Sequence, residues 1–323
     1  MIILESLILW LVALAAGVGL IVWGAEAFAE HLGRAAVGLG VSTFALALLL
    51  AGAEPEELAT AVVASLRGSP GIALGDVIGA NVTICLVALG VGAWIAPLPF
   101  RTSVMRYALL GLPIGVVGAW CAWDGEIDRI EGAILVAVYA FYIAVIWWAE
   151  RKPPALGEVG ELAEAQDAAR AGRAPRLGRD LGFVLAGIAA MAGGATLLVE
   201  AVQRLSGVEA TQTRLGLTLV GFATGFELVV LAWSAARRGI SETVVAGVVG
   251  SFAYNATMTL GAGALARPLV LTDAAALHLP LLLMIGSLAL VVLLAARRQQ
   301  LGRAEGVVLL ASYPVFVALA LTV

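Results

Sequence analysis

Three carboxylates fall within four residues of this 323-residue chain, in the stretch Ala51-Gly-Ala-Glu-Pro-Glu-Glu-Leu58: Glu54, Glu56 and Glu57. Apolar sequence flanks them on both sides. A charge at the centre of an apolar span costs about 2.5 kcal/mol or more on insertion scales, so three together mark a place that holds something positive. Glu54 and Glu57 are three residues apart and share one face if the stretch is helical, while Glu56 points elsewhere. Gly52 and Pro55 weaken a helix at this point. Proline removes a backbone donor, and the freed carbonyls can serve as oxygen ligands where they face protein or water.

Further oxygens lie in three other apolar stretches. Ala223-Thr-Gly-Phe-Glu-Leu228 offers Thr224 and Glu227, with Gly225 loosening the helix between them. Gly75-Asp-Val-Ile-Gly-Ala-Asn81 offers Asp76 and Asn81, and Gly250-Ser-Phe-Ala-Tyr-Asn255 offers Ser251 and Asn255. Carboxylates, amides and hydroxyls without histidine or cysteine form a hard-ligand set, suited to Na⁺, Ca²⁺ or H⁺ rather than zinc or copper. Glu57, Glu54 and Asn255 are the leading ligand candidates. Glu56 and Glu227 suit either a proton site or paired structural contacts. Asp76 is either a ligand or a residue that caps the third span or sits in solvent. Asn81 is either a ligand or a helix-linking amide. Thr224 and Ser251 are either ligands or donors to the preceding turn of their own helices. Glu26, Glu30 and Glu200 read as interfacial, and His31 and His278 as loop residues. Cys85 and Cys121 read as packing residues in apolar runs.

The elements that must position these groups are membrane spans. Hydrophobic residues make up 61% of the chain, charged residues 13%, and the mean hydropathy is +1.00, against about a quarter charged in a soluble domain. With net charge −4 and no basic stripe, nucleic acid is not an expected partner. Apolar blocks of bilayer-spanning length predict ten helices, near 6–28, 37–66, 71–97, 104–123, 128–149, 181–203, 212–237, 242–263, 275–296 and 304–322. Tryptophans near several span ends fit interfacial anchoring. Of the 19 basic residues, 14 fall on one side of this arrangement and 5 on the other. The positive-inside rule therefore predicts both termini outside and the polar 150–180 segment in the cytoplasm.

Five spans precede that segment and five follow. Laid against 223–269 without a gap, the stretch 52–98 matches it at many positions, including Glu56/Glu227, Arg67/Arg238, Gly68/Gly239, Gly79/Gly250, Gly90/Gly261 and Pro97/Pro268. Related halves with an odd number of spans must enter the membrane in opposite senses, as in many secondary transporters.

In these stretches the chain resembles the cation/calcium exchanger superfamily of the sodium/calcium-exchanger type. Its motifs, of the form Gly-Thr-Ser-x-Pro-Glu-Leu followed by Gly-Asn-x-x-Gly-Ser-Asn, line up with Gly52–Leu58 and Ile72–Asn81 in the first half. In the second half they line up with Gly216–Val220, Ala223-Thr-Gly and Gly250-Ser251. Gly24-Ala25 and Gly194-Ala195 also match. The resemblance implies two inverted five-helix repeats and transport of a cation. It places ligands at Glu57 and Asn255, but the matching positions in the opposite halves are Leu228 and Ile84, which cannot ligate. Glu54, one turn from Glu57, could restore the missing carboxylate.

The expectation is an all-α polytopic protein of the plasma or inner membrane. Its first repeat spans 1–149, a cytoplasmic linker 150–180 and its second repeat 181–323. It works as a secondary antiporter of Ca²⁺ or Na⁺ against Na⁺ or H⁺. The partners are inorganic cations and the lipid bilayer, and no cofactor beyond the transported ions is expected. The resemblance implies that spans 1 and 6 move across a core of spans 2, 3, 7 and 8. Alternatives are a Na⁺/H⁺ antiporter without calcium transport, a relative that has lost transport, and an intramembrane enzyme. An enzymatic role is not expected, since the sequence offers no nucleophile–base pairing.

Overall fold

The computed structural model describes residues 2–39, 52–150, 177–238 and 241–322. The first part of the second predicted span (40–51) and most of the linker (151–176) lie outside the described residues. The described helices are α1 (Ile2–Gly38), α2 (Pro55–Leu66), α3 (Pro70–Ile95), α4 (Thr102–Cys121), α5 (Arg129–Glu150) and α6 (Leu177–Leu205). They continue with α7 (Glu209–Leu215 through Phe226–Arg238, broken at Gly225), α8 (Ser241–Tyr254 continued through Leu260–Ala266), α9 (Ala275–Ala296) and α10 (Arg303–Ala320). Eight are long and apolar enough to cross a membrane. The other two are α2, with only twelve described helical residues, and α8, diluted by Ser251, Asn255, Thr257 and Thr259.

Several expectations change. The first helix runs on to Gly38, well beyond the predicted end, so Glu26, Glu30 and His31 are helical. His31 is buried, its Nδ1 lying 2.8 Å from Asp180 Oδ1 on α6, and its ring stacks on Phe183. His278 is also helical, stacked on Trp123. Pro55 does not weaken a continuing helix but opens one. It occupies the first turn of α2, where a missing N–H is harmless.

The α3 helix lies at the centre, with 94% of its apolar window buried; a helix apolar all round belongs in such a place. It rests on α7 through glycines every fourth residue. A Cβ on Gly71 would meet Thr213 Oγ1 at 2.3 Å, one on Gly75 the Leu217 nitrogen at 2.8 Å, and one on Gly79 the Leu217 carbonyl at 2.3 Å. Outward faces carry Trp120, Ile130, Phe141, Leu185 and Leu293 in the open. A soluble surface would not tolerate so much exposed apolar area, but lipid does.

Contacts between the halves are reciprocal. Gly17 lies against Gly194 and Gly24 against Gly187, each close enough that a Cβ on either partner would meet the other's carbonyl oxygen at 2.6–2.8 Å. The order is reversed along the two helices, so α1 and α6 run antiparallel. Gly132 and Gly261 approach similarly, at 2.9 and 2.6 Å, and a Cβ on Gly306 would meet the Gly90 carbonyl oxygen at 2.8 Å. Two short ribbons follow the same exchange. Strand β1 (Leu98–Pro99) pairs with β4 (Gln300–Leu301), and β2 (Glu126–Ile127) with β3 (Leu269–Val270), both antiparallel. These ribbons were not part of the all-α expectation. A π-helical turn at Ile84–Ala88 recurs at the equivalent position of the second half, at Asn255–Thr259.

Candidate cation site

The acidic stretch is shaped by a glycine and a proline. Gly52 has φ +63°, a left-handed conformation that other residues rarely adopt. It packs so tightly on α8 that a Cβ would lie 2.8 Å from the Gly250 carbonyl carbon. The chain turns there, and Pro55 starts α2. Glu54 is therefore the residue before the helix, and Glu56 and Glu57 lie in its first turn. The expectation that Glu54 and Glu57 share a face of one continuous helix is replaced by this geometry: carboxylates gathered at a helix N-terminus, where the helix dipole favours negative charge. The second half is built alike. Helix α7 breaks at Gly225, and Glu227 lies in the first turn of Phe226–Arg238.

All three glutamates are buried, Glu54 at 4%, Glu56 at 2% and Glu57 at 0% exposure, and Asp76 is at 0%. Ser251 donates its hydroxyl to Glu54 Oε1. Glu54, Glu56 and Glu57 crowd the start of α2, where like charges repel unless a cation or a proton lies among them. Thr224 Oγ1 donates to Asp76 Oδ1 at 2.8 Å as well as to the Val220 carbonyl at 3.2 Å. Asp76 stands inside α3, well past its N-cap Ser69, so it is not a cap. Asp76, Glu56 and Glu227 are all within electrostatic reach of Glu57. Among the described residues neither oxygen of Glu57 finds a hydrogen-bond donor, nor do Glu56 Oε2 and Asp76 Oδ2.

The two asparagines bind each other. Asn255 Nδ2 donates to Asn81 Oδ1 at 3.4 Å, Asn81 Nδ2 donates to the Phe252 carbonyl at 3.3 Å, and Thr259 donates to Asn255 Oδ1 at 3.3 Å. Both amide oxygens thus accept bonds from protein, and the pair links α3 to α8. Leu228 is buried in the apolar core and Ile84 opens the first π-helical turn. Sequence reasoning passed over Tyr254, which lies within electrostatic reach of Glu54, Glu56 and Glu57 and meets the Tyr139 ring edge-on at 5.2 Å. Its spacing of one turn from Ser251 was the available sign. Among the described residues no three histidine, cysteine, aspartate or glutamate side chains are arranged as a ready metal cage.

The sequence profile described as sodium/calcium exchanger protein matches residues 9–148 and 180–322. The chain belongs to the sodium/calcium exchanger family. Curated relatives of this exchanger-family chain align over nearly their whole length. Sodium/calcium exchanger MaX1 of Methanosarcina acetivorans is 27% identical over 335 residues, with 93% of this chain and 95% of the relative covered. Inner membrane protein YrbG of Escherichia coli (strain K12) is 25% identical over 313 residues, with 95% of each covered. The solved structure of the sodium-calcium exchanger NCX_Mj soaked with 10 mM Na⁺ and 10 mM Sr²⁺ superposes with a TM-score of 0.62 at 23% identity, over 97% of this chain and 98% of that one. At that identity the likeness establishes a shared fold.

Proposed function

We propose that this chain is a secondary cation antiporter that exchanges Ca²⁺ or Na⁺ against Na⁺ or H⁺ at Glu57 and its neighbours by alternating access. It is built as two oppositely inserted five-helix repeats joined by a cytoplasmic linker, with both termini outside; because α5 runs to Glu150 and α6 begins at Leu177, the linker is shorter than the expected 150–180. The observation that carries the reading is Glu57: fully buried, near three other carboxylates, and with neither oxygen hydrogen-bonded among the described residues. An uncompensated buried charge is costly enough that it binds a counter-ion or a proton. A site that holds either, but not both together, is an exchanger site.

Supporting the two-repeat reading are the reciprocal contacts, in which Gly17 pairs with Gly194 and Gly24 with Gly187, and the matched π-helical turns. In the moving part, the tight glycine seam holds α1 and α6 together as one body, which slides over α2, α3, α7 and α8. Glu57 and Asp76, aided by Glu54, Thr224 and Ser251, hold the cation. Asn81 and Asn255 fix α3 to α8 behind it.

A second reading is Na⁺/H⁺ exchange without calcium transport, since carboxylates crowded at the start of α2 can be neutralised by a proton as well as by a metal ion. Leu228 and Ile84 favour it as well, since Ca²⁺ usually takes six to eight oxygens. The antiport reading is tested by Glu57→Gln in proteoliposomes. Exchange falls to background if Glu57 holds the ion, and undiminished exchange removes it from the site.

A further inference from the structure

The Pro-Leu pair that ends the repeated stretch is preceded by Ala96 in the first half and by Arg267 in the second. Both residues follow the last turn of a helix in extended backbone, with φ −144° and −155°. Alanine therefore serves the backbone here, and the second half adds a guanidinium. Arg267 Nη1 donates to the Leu66 carbonyl at 3.3 Å, at the end of α2. Gly68 makes room for it: its φ is +70°, and a Cβ there would meet Nη1 at 2.9 Å. Arg267 borders an open cavity of about 310 Å³, walled also by Ser65, Pro70, Pro268, Leu269 and Val270. That volume falls at the lower end of the range for small-ligand sites, roughly 300–1,000 Å³. No acidic side chain lines the cavity among the described residues.

We propose that this cavity binds a phospholipid, with the headgroup phosphate held by Arg267. Charge is the first reason. A guanidinium carries five N–H donors in a planar fork, and among the described residues Arg267 spends one of them, on a neutral carbonyl. At the same end of the bundle Arg67 and Arg204 share Glu200, whereas Arg267 has no carboxylate partner among the described residues. The fork matches a phosphate bound through two oxygens. Position is the second reason. Helix α2 ends at Leu66 and α8 at Ala266, so the cavity opens where the bundle meets the headgroup layer, and basic pockets between spans at that depth hold lipid headgroups. The third reason is the apolar wall. Pro268, Leu269 and Val270 face the cavity, and Leu66 and Leu265, on the last turns of the two helices, are exposed. Such a surface receives glycerol and acyl carbons, which a free anion lacks. The Ser65 hydroxyl is already committed to the Ala61 carbonyl at 2.7 Å. Glu126 stands across the short ribbon from Val270 and does not line the cavity. Lipid binding here is independent of which ions the chain exchanges.

The test titrates the detergent-purified, delipidated full chain with dioleoylphosphatidylglycerol and reads bound lipid by native mass spectrometry. The parent is expected to bind a first phosphatidylglycerol more tightly than later ones. Dioleoylglycerol, which lacks the phosphate, does not occupy that site, and millimolar inorganic phosphate does not displace the lipid. Arg267→Ala, which copies Ala96, weakens the first binding by about tenfold or more, the loss expected for a charge-assisted contact. Arg267→Lys weakens it less. Val270→Trp keeps the charge but fills the cavity, and is expected to weaken binding by a similar factor. Arg303→Ala, which removes an exposed arginine at the start of α10, leaves the first binding unchanged. Thermal unfolding without lipid identifies any variant that fails to fold, and the remaining ones decide. Equal affinity in the parent and Arg267→Ala overturns the proposal, as does equal occupancy by dioleoylglycerol. Displacement by inorganic phosphate would mark a free-anion site, and binding unmoved by Val270→Trp would mark a surface charge without a cavity; either result also overturns it.

Discussion

Ser251 on α8 donates its hydroxyl to Glu54, the residue that opens the way into α2, and so ties an acidic group of the first half to a helix of the second. The two stand 197 residues apart and both are buried. Because the bond crosses between halves, it sets where one wall of the carboxylate cluster lies. A hydrogen bond to a charged group contributes about 1.5–3 kcal/mol. Ser251→Ala is therefore expected to weaken apparent affinity for the exchanged ion by about tenfold or more, and Ser251→Thr to keep most of it. Initial exchange rates against ion concentration check this, and equal affinities for the alanine variant and the parent would contradict it.

The α1–α6 seam predicts a contrast between neighbouring glycines. A Cβ at Gly17 or Gly194 would lie 2.8 or 2.6 Å from the opposing carbonyl oxygen, whereas at Gly19 or Gly193 nothing lies within 4 Å. Alanine at Gly17 or Gly194 is expected to destabilise by about 1–3 kcal/mol through overpacking. Alanine at Gly19 or Gly193 is neutral or stabilising by about 0.5–1 kcal/mol, since it removes a helix-interior glycine. Thermal unfolding of the detergent-purified chain separates the two classes.

His31 and Asp180 pin one end of the same pair of helices in a buried, 2.8 Å contact. Removing either leaves a buried polar group unsatisfied, which costs about 1–3 kcal/mol. Asp180→Ala and His31→Ala should each lower stability by that amount, and the double variant by clearly less than their sum, because the two share one interaction. Additive losses would show that the contact contributes nothing.

Most apolar spans were legible because blocks of bilayer length stand out in hydropathy, but the ends of the first two were not: α1 runs on to Gly38 and α2 begins only at Pro55. The 275–296 helix falls where the sequence places it. The acidic cluster was legible for the same reason: Glu54, Glu56 and Glu57 stand out against apolar neighbours. What lay beyond sequence reasoning was local backbone geometry. Pro55 reads as a helix breaker until Gly52, held at φ +63° against Gly250, shows that the helix starts there. The π-helical turns at Ile84–Ala88 and Asn255–Thr259 leave no mark in hydropathy. His31 looked like a loop residue because its partner, Asp180, is 149 residues away. By residue type Asn255 reads as a ligand and Asn81 as either a ligand or a linker, and only the structure shows the bond between the two.

The broken α7 makes a further prediction about the paired glutamates. Glu56 and Glu227 occupy the same turn of equivalent helices, yet only Glu56 has Glu54 and Glu57 as close acidic neighbours in sequence. Glu56→Gln is expected to change the dependence of exchange on external pH more than Glu227→Gln does, since only the first removes a charge from the crowded Glu54, Glu56 and Glu57 group. Exchange rates measured across a pH series decide it, and matched profiles for the two variants would rule out a proton held within that group.

The central claim is that buried Glu57 carries a cation across the membrane in exchange for another. Its most direct test is ion flux into proteoliposomes, with Ca²⁺, Na⁺ and pH gradients imposed independently on the parent chain and on Glu57→Gln. The expected result is uptake of one cation driven by an opposing gradient of another ion in the parent, and background flux for the glutamine variant in every gradient. No coupled flux in any of the three gradients, or coupled flux unaltered by Glu57→Gln, would contradict it.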